Sequence, residues 1–370
     1  MEAAKIIAVT GADGFIGRNL ILRMRELGLE PRPLIRSSSE DEWVAAIQGA
    51  DAVIHLAGVN RPPDPSGFEG NVSAVETLVR ILGKVERPIP VILASSQKAE
   101  EHSDYGLSKK AAEDRLLAFG EATQRPVAIF RLPNVFGKWC RPNYNSAVAT
   151  FCHNVPRGLP ITINDPAAAL SLVYIDDVSE CFLDLIAKGA VDRGFHEVLP
   201  RYETTVGEVA EIIRGFRSDR DENLIDDVGL GLKRALYATY VSYLPKEQFA
   251  YGITSHRDPR GAFSEMLKTR SAGQFSYFTA LPGVTRGGHY HHTKTEKFLI
   301  VHGEALFRFR HVLTDEVHEV RTSAESPTIV ETIPGWAHDV TNVGDGILVS
   351  LLWANELFDR ERPDTTQEKV

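Results

Sequence analysis

The chain has 370 residues, of which 43% are hydrophobic and 25% are charged, and its formal net charge is -9. This composition is that of a globular protein, and the length exceeds what one ordinary core needs, so two domains are expected. The negative charge argues against nucleic acid or an anionic membrane as the main partner, and no apolar run is long enough for a membrane span.

The three cysteines, Cys140, Cys152 and Cys181, lie far apart and show neither metal nor disulfide spacing. Such usage fits a reducing compartment, in which each cysteine is a small buried apolar residue. No signal-peptide pattern of a charged stretch followed by an apolar one opens the chain. We therefore predict a cytoplasmic location without membrane insertion.

Residues up to about 245 alternate between strand-like and helix-like segments. Strand patterns occupy residues 5–10, 33–36, 51–58, 91–95 and 127–132, and helical patterns occupy residues 18–27, 71–82 and 108–119. This alternation predicts a parallel sheet covered by helices. Residues 194–244 are predicted to be mainly helical, with the clearest helix at 206–216.

After Pro245 the helical periodicity fades. Short β-rich runs, separated by turn residues, occupy residues 274–281, 298–301, 305–311, 328–332 and 347–353. They predict a closed or sandwiched antiparallel β-domain. We therefore place a boundary between domains 1–245 and 246–370, and we expect the polar tail at 363–370 to be loose.

A glycine-rich loop follows the first predicted strand and precedes the first predicted helix. Gly11, Gly14 and Gly17 would let the backbone approach a pyrophosphate, with the helix N-terminus facing its charge, although a glycine-rich turn is the alternative. The second strand ends without the acidic residue that would hold a ribose 2′-hydroxyl. Arg36 and the two serines after it suit a 2′-phosphate instead, so we predict NADP(H) as cofactor.

Tyr105 and Lys109 lie one turn apart at the start of a predicted helix. An ammonium beside a phenol is expected to lower the phenol pKa, which would let Tyr105 act as a general acid near neutral pH. Ser96, at the end of the preceding strand, could hold a substrate carbonyl. A lone Tyr-x3-Lys is usually an ordinary helix surface, but the glycine loop and the serine-ended strand favour the catalytic interpretation.

Histidine and glutamate cluster in the C-terminal half. His289 and His291 share one face of a strand because side chains alternate, and Glu296 opens the next apolar run. With His338 further on, three imidazole nitrogens and one carboxylate predict a divalent metal site. Zinc is our choice, although the same ligands suit manganese, iron or nickel.

Residues 5–240 resemble an extended short-chain dehydrogenase/reductase. The matching segments are 10–17, 55–58, 71–72, 95–96, 105–109, 131–137 and 174–178. The resemblance implies a Rossmann-type doubly wound parallel sheet in which Tyr105 is the acid/base and Lys109 its partner. It makes Ser96 the hydroxyl that holds the carbonyl, with Ser95 as the alternative, and Asn71 a supporting amide.

The same resemblance implies which residues contact the cofactor and the substrate. The cofactor contacts are Gly11, Gly14, Phe15, Ile16, Gly17, Arg36, Leu56, Ala57 and Lys109. Asn134 falls where extended members contact a nucleotide-sugar, and Lys138, Arg141 and Asn145 would hold the diphosphate or uridine. A solvated loop is the alternative for residues 138–145. The segment between the second and third strands is short, so the acid that usually contacts adenine has no clear position.

The C-terminal half resembles a cupin, a jelly-roll β-barrel. The first cupin motif matches as Gly283-x5-His289-x-His291-x4-Glu296-x6-Gly303. The second motif keeps Gly335, His338 and Asn342 at their offsets, while Pro334 is one place nearer the histidine than usual. The resemblance implies His289, His291, Glu296 and His338 as metal ligands.

Residues 257–265 and 283–290 also resemble cupin-type deoxysugar 3,5-epimerases. That resemblance implies that Arg260 and Arg286 hold a nucleotide diphosphate, and it makes His289 a metal-free base. We favour a metal, because the other three ligands complete the set, and expect it to act as a Lewis acid on a 4-keto group. Lys297 and Tyr290 are candidates for moving the proton. A structural metal in a non-catalytic, dimerising barrel is the alternative.

The whole chain resembles the bifunctional enzymes of UDP-N-acetyl-L-fucosamine biosynthesis, which serve bacterial capsule and O-antigen. The resemblance is carried by residues 55–62, 136–151, 239–245, 289–298 and 308–312. It implies C3-epimerisation of a UDP-2-acetamido-2,6-dideoxy-hexos-4-ulose in the cupin domain. NADPH-dependent reduction of the C4 ketone would follow, giving a UDP-6-deoxy-L-talosamine derivative.

Several other functions are open at this point. The first is a nucleotide-sugar 4-reductase or 4-epimerase with a non-catalytic, dimerising cupin domain. A dehydratase is disfavoured, because Gln97 and Lys98 follow Ser96 where acidic residues would be expected. A sensor that binds NADP and sugar without turnover is disfavoured by the intact Tyr105 and Lys109. By analogy with cupins, we expect a homodimer built through residues beyond 245.

Overall fold

The computed structural model describes residues 5–189, 191–361 and 363–370. The chain divides into two compact units. The first comprises Met1–Ile213 and Gly231–Leu244, and the second comprises Arg214–Leu230 and Pro245–Val370. The second unit therefore includes one segment, residues 214–230, from the part of the chain before Pro245. An ion pair between Arg270 and Asp219, 2.7 Å long, is one of the contacts that hold this segment.

Strands and helices alternate through the first part of the chain. The strands are β1 (Ile6–Thr10), β2 (Glu30–Leu34), β3 (Ala52–His55), β4 (Val91–Ser96), β5 (Val127–Leu132), β6 (Asn134–Phe136), β7 (Ala169–Tyr174), β8 (Gly194–His196) and β9 (Tyr202–Thr205). The helices are α1 (Phe15–Glu26), α2 (Glu40–Gln48), α3 (Glu69–Leu82), α4 (Asp104–Thr123), α5 (Ala147–Asn154), α6 (Ile175–Ala187), α7 (Val206–Asp221) and α8 (Gly231–Ser242).

The first unit is a Rossmann-type doubly wound sheet. Its parallel strands lie in the order β2-β1-β3-β4-β5-β8. Leu20 of α1 and Phe182 of α6 are buried against one face, while Leu78 of α3 and Leu116 of α4 are buried against the other. The strand order reverses between β1 and β3, and in such sheets ligands bind at the carboxyl ends of the strands near that point.

Most segments predicted for the first part of the chain are present with shifted ends. The short segment after Arg36 is an unforeseen helix, α2, which begins with a capping box between Ser39 and Glu42. The prediction that 194–244 is mainly helical is partly wrong, because β8 and β9 precede α7 in this region. Each of these strands has only three or four residues, which is too short to show a clear alternation of apolar and polar side chains.

The second unit is a cupin jelly-roll β-barrel, as predicted. Its strands are β10 (Leu224–Ile225), β11 (His256–Asp258), β12 (Gly261–Thr269), β13 (Gln274–Ala280), β14 (Thr285–Tyr290), β15 (Glu296–His302), β16 (Glu304–His311), β17 (Val317–Ser323), β18 (Ile329–Glu331), β19 (Trp336–Asn342), β20 (Leu348–Ala354) and β21 (Thr366–Gln367). One sheet has the order β10-β12-β13-β20-β15-β18, with β11 beside β12, and the other has the order β17-β16-β19-β14-β21. Phe278, Phe298 and Phe307 contribute to the core between the sheets.

The prediction of a loose tail at 363–370 is wrong. β21 pairs antiparallel with β14, and the carboxylate of Glu368 lies 2.5 Å from Arg310 Nη2. Local sequence pattern does not reveal this order, because the hydrogen-bond partners of the tail lie more than fifty residues away. Among the described helices, none combines the length and the apolar character that crossing a bilayer requires.

Candidate active sites

The glycine loop connects β1 to α1 and packs closely against the end of β3. Gly11 has φ +65, and a Cβ there would lie 2.8 Å from the backbone nitrogen of Ala57. A Cβ on Gly17 would lie 2.5 Å from the carbonyl oxygen of Gly11. Only glycine therefore allows this loop to lie against both the strand end and the first helical turn.

The start of α1 fits a bound dinucleotide. Within the described residues, no side chain caps its first turn, whose N-cap is Gly14, and that turn carries no acidic residue. Its amides therefore remain available to an anion, and the helix dipole favours negative charge at this end. Phe15 and Ile16 are half-buried in this turn, Leu56 and Ala57 follow β3, and Arg36 is exposed just beyond β2.

Tyr105, Ser96 and Lys109 come together beside this loop. The Tyr105 hydroxyl forms a hydrogen bond with the Ser96 side chain and lies 3.4 Å from Asn60 Oδ1. Lys109 is buried, and its ammonium donates to the carbonyl oxygen of Ala94 at 3.0 Å. A Cβ on Gly58 would lie 3.8 Å from the Lys109 ammonium, so the space beside the lysine is narrow.

The expected lowering of the Tyr105 pKa is not found. Burial raises the pKa of Tyr105, and the hydrogen bond with Ser96 lowers it by less than burial raises it. Burial also lowers the pKa of Lys109 to about 8, while the charge of Glu113 raises it. The direction of the Tyr105 shift is therefore set by burial, and the Lys109 ammonium donates to the carbonyl oxygen of Ala94 instead.

The structure distinguishes the two neighbouring serines. The hydroxyl of Ser95 donates to the buried carboxylate of Glu113 at 2.5 Å, whereas Ser96 faces Tyr105. Asn71 is buried and forms two hydrogen bonds with the backbone of Val59. Its Oδ1 accepts from the amide at 2.8 Å, and its Nδ2 donates to the carbonyl at 3.1 Å. Its contacts thus hold the loop after β3, in keeping with a supporting amide.

The residues predicted to bind the nucleotide-sugar lie on β6 and the loop after it. Asn134 is exposed and donates to the carbonyl of Ser171 at 3.1 Å. Lys138 forms an ion pair with Asp176. Arg141 and Asn145 are exposed, and the guanidinium of Arg141 lies 5.0 Å from the centre of the Tyr144 ring. Among these four predicted substrate contacts, Lys138 is therefore the side chain that already forms an ion pair with another described residue.

The four predicted metal ligands converge inside the barrel. One ligand atom from each of His289, His291, Glu296 and His338 lies within 4.8 Å of the others. His289 is on β14, His291 just after it, Glu296 opens β15 and His338 is on β19. Glu296 Oε2 lies 3.3 Å from His291 Nε2 and 3.5 Å from His338 Nε2.

Burial and charge in this cluster suit a divalent cation. Burial would raise the pKa of Glu296, but hydrogen bonds with His291 and His338 lower it overall, so the group is a carboxylate. Burial lowers the pKa of His289 to about 4, which leaves its imidazole neutral at pH 7. Within the described chain, the buried Nε2 of His338 has no polar contact shorter than its 3.5 Å approach to Glu296 Oε2, as expected of an atom available to a ligand.

Arg260 and Arg286 line the same cavity as His289, Glu296 and His338, whose volume is about 970 Å³. Arg260 is exposed and pairs with Asp258 at 2.6 Å. Arg286 is largely buried, donates through Nε to the carbonyl of Thr279 at 3.1 Å, and has an Nη2 without a hydrogen-bond partner among the described residues. A partly desolvated guanidinium with a free donor is suited to binding an anion.

The two side chains proposed from the sequence as proton carriers do not line the cavity. Lys297 is exposed and pairs with Glu331 at 2.6 Å, because it follows the inward-facing Glu296 on β15. The Tyr290 ring packs against His292 at 5.3 Å, on the face opposite His289. Lys294, which was not predicted from the sequence, lines the cavity with its ammonium 3.0 Å from Glu296 Oε1. Its position in a loop between two ligands was the available signal.

Two family models match the chain. Residues 7–197 match the NAD dependent epimerase/dehydratase family, and residues 256–366 match the polysaccharide biosynthesis C-terminal domain. The first match covers the glycine loop, Tyr105 and Lys109. The second covers all four residues of the histidine and glutamate cluster.

Relatives match the chain over nearly its full length. A UDP-2-acetamido-2,6-beta-L-arabino-hexul-4-ose reductase of Pseudomonas aeruginosa is 52% identical over 361 residues, covering 97% of each chain. The crystal structure of capsular polysaccharide assembling protein CapF from Staphylococcus aureus is 37% identical, with a TM-score of 0.92, and the match covers 99% of this chain and 100% of that one. CapF with the inhibitor 3-isopropenyl-tropolone has a TM-score of 0.86 at 34% identity, covering 98% and 99%.

Proposed function

Because the chain belongs to the NAD dependent epimerase/dehydratase family, we propose that it is a bifunctional nucleotide-sugar enzyme. It inverts C3 of a UDP-2-acetamido-2,6-dideoxy-hexos-4-ulose and then reduces the C4 ketone with NADPH. The product is a UDP-6-deoxy-L-talosamine derivative on the route to UDP-N-acetyl-L-fucosamine. The name of the Pseudomonas aeruginosa relative supports the reduction, and the CapF structures support a role in capsule assembly.

The observation that carries the reductase step is that Tyr105 lies beside Ser96, at the end of β4, one helical turn before the buried Lys109, whose ammonium donates to Ala94 of the same strand. NADPH, when bound, supplies the hydride that C4 accepts. Tyr105 donates its phenolic proton to the C4 oxygen, so hydride and proton together convert the ketone into an alcohol. Ser96 holds the same oxygen, and the ammonium of Lys109 stabilises the tyrosinate that is left.

The epimerase step is assigned to the barrel cavity. His289, His291, Glu296 and His338 would hold a divalent cation, for which we propose zinc, and the cation would supply Lewis-acid polarisation of the ketone. Arg260 and Arg286 bind the diphosphate. A proton leaves C3 and another returns on the opposite face. C3–H is acidic only while C4 is a ketone, so the epimerisation must come first.

The remaining assignments extend this proposal. We assign reduction to the domain 1–245 and epimerisation to the domain 246–370, and NADP specificity to Arg36. Asn134, Lys138, Arg141 and Asn145 are the proposed nucleotide-sugar contacts of the reductase. The cytoplasmic location remains a prediction from the sequence.

A homodimer is proposed through the barrel. Its support is a sheet face on which Phe275 of β13, Leu351 of β20 and Ile329 of β18 are exposed, with β15 between the last two strands. An apolar face of this kind is typical of a surface that pairs with a second copy.

The test is to incubate the full chain with UDP-4-keto-6-deoxy-HexNAc and NADPH in deuterated water, and to analyse the product by mass spectrometry and NMR. The proposal expects a reduced C4 together with one deuterium at an inverted C3. A reduced sugar with an unlabelled, uninverted C3 would mean a 4-reductase with a non-catalytic barrel. Turnover without net NADPH consumption would mean a 4-epimerase, and either result overturns the scheme.

A further inference from the structure

The segment 364–369 contacts the loop that connects two of the candidate metal ligands. One carboxylate, that of Asp364, accepts backbone hydrogen bonds from His292 at 2.9 Å, from Thr293 at 2.7 Å and from Lys294 at 2.8 Å. It also accepts from the Thr293 hydroxyl at 3.0 Å. Three successive amides that converge on one carboxylate form an anion-binding nest, here filled by the protein itself. The loop between His291 and Glu296 is therefore held by a residue about seventy positions away.

The backbone of Asp364 acts on His291 directly. Nδ1 of His291 lies 2.5 Å from the carbonyl oxygen of Asp364. A carbonyl oxygen can only accept, so Nδ1 must carry the proton. Nε2 lies 3.3 Å from Glu296 Oε2. With Nδ1 protonated, Nε2 is the nitrogen whose lone pair a bound cation would take, in place of the proton shared with Glu296. Hydrogen bonds of this kind fix the orientation of metal-binding histidines in many proteins.

The same segment flanks His289. In the pairing of β21 with β14, Gln367 lies opposite His289, and the amide of Glu368 donates to the carbonyl of Gly288 at 3.0 Å. Gly288 has φ +78 and lies at an irregularity in the pairing of β14 with β19, so the backbone just before His289 departs from regular strand geometry. Arg310 anchors the far end of the segment, because its Nε donates to the carbonyl of Lys369 at 2.9 Å.

We infer that the segment 364–369 is a latch that positions His289 and His291 for cation binding, and that Asp364 is its central positioning residue. This inference rests on the proposed metal site. Without Asp364, the amides at 292–294 lose their acceptor and the loop can leave its place. Without the whole segment, Nδ1 of His291 also loses the carbonyl that selects its tautomer.

The test compares Asp364→Ala with the control Asp359→Ala in the full chain. The control removes the same charge from the same region, where the Asp359 carboxylate accepts, within the described residues, a single hydrogen bond, from the Glu361 amide. Zinc affinity is measured by competition with a chromophoric chelator, and the visible spectrum of the cobalt form reports ligand geometry. We expect Asp364→Ala to weaken zinc binding about 10- to 100-fold and to alter the cobalt spectrum. Asp359→Ala should match the parent protein.

A second measurement tests the same inference if Asp364→Ala folds poorly. The nitrogen-15 shifts of His291 in the metal-free protein should show a protonated Nδ1 in the parent and a mixture of tautomers in a chain truncated after Pro363. Unchanged zinc affinity in Asp364→Ala, or an unchanged tautomer in the truncated chain, would overturn the latch. A parent protein that binds neither zinc nor cobalt would instead overturn the proposed metal site.

Discussion

The carboxylate of Glu113 accepts two hydrogen bonds from the Arg131 guanidinium, with Nη2 2.7 Å from Oε2 and Nε 3.1 Å from Oε1. Glu113 is fully buried on α4, one turn after Lys109, and also accepts from the Ser95 hydroxyl. Its charge raises the pKa of Lys109, which burial lowers to about 8. The carboxylate therefore links the stability of the first unit to the charge state of the proposed catalytic lysine.

Glu113→Gln should destabilise the first unit. The substitution leaves Arg131 partly buried beside a neutral amide, and breaking a buried ion pair from one side typically costs several kcal/mol, about 3 here. Urea unfolding, followed by the loss of signal from the first unit, measures the difference. Glu100→Gln is the control, because Glu100 is an exposed partner of the same arginine and should cost less than about 1 kcal/mol. Equal effects of the two substitutions would contradict the role given to burial.

The reductase should lose kcat/KM for NADPH above about pH 8. Lys109 is charged below its pKa of about 8 and loses its proton above it, whereas burial raises the pKa of Tyr105, so the phenol stays protonated through this range. Because kcat/KM reports groups of the free enzyme, the falling limb should follow Lys109. Glu113→Gln should move this limb to lower pH and Glu100→Gln should leave it in place. A limb that does not move in Glu113→Gln would assign it to another group.

The sequence was a good guide where local pattern decides the structure. Strand–loop–helix order and the three glycines predicted the shape of the cofactor loop, and strand alternation placed His289 and His291 on one side with Tyr290 on the other. The His-x-His and Glu spacing predicted the cluster, because ligand residues of one barrel motif lie close along the chain. The helix-covered parallel sheet followed from the alternation of strands and helices before Pro245, and the β-domain followed from the short β-rich runs after it.

What the sequence did not predict depends on contacts between distant residues. Tyr105 and Lys109 are close because they lie one turn apart on the same helix, which the sequence shows. The pKa of Tyr105, in contrast, is set by burial, which depends on residues such as Phe68, whose ring lies 5.6 Å away. Asp364 was part of a tail expected to be loose, because its polar composition carries no sign of the amides that it meets. Lys294 was overlooked because a loop lysine has no periodicity to mark it as inward-facing.

Tyr105→Phe should abolish NADPH oxidation and leave proton exchange at C3. Phenylalanine keeps the ring contact with Phe68 but has no proton to donate, and loss of a general acid typically costs about 10²- to 10⁴-fold in rate. NADPH absorbance follows the first reaction, and NMR in deuterated water follows the second. Loss of both activities, or of neither, would contradict the division of work between the two domains.

Removal of divalent cations should abolish proton exchange at C3 and spare NADPH oxidation, the reverse of the effect of Tyr105→Phe. Dialysis against a chelator should stop deuterium entry at C3 and leave NADPH oxidation intact when the sugar is supplied already epimerised, because the proposal assigns His338 and its neighbours to the exchange step alone. His338→Ala should behave like the chelated protein, whereas the control His318→Ala alters an exposed histidine and should behave like the parent. Exchange that survives both treatments would show that the barrel works without a cation.

Arg286→Gln should weaken binding of the nucleotide diphosphate to the barrel. The guanidinium of Arg286 is largely buried in the cavity, burial lowers its pKa, and its Nη2 makes no hydrogen bond among the described residues but lies 3.8 Å from Asp258 Oδ1. A hydrogen bond to a charged group contributes about 1.5–3 kcal/mol, so Kd for UDP should rise roughly 10- to 150-fold. Calorimetry with UDP measures this change, and the KM of the C3 exchange reaction should rise with it. Arg257→Gln is the matched control, because Arg257 is an exposed arginine on β11 that does not line the cavity. If Arg257→Gln weakens UDP binding as much as Arg286→Gln, the anion is attracted by general surface charge, and the cavity loses its assignment as the diphosphate site.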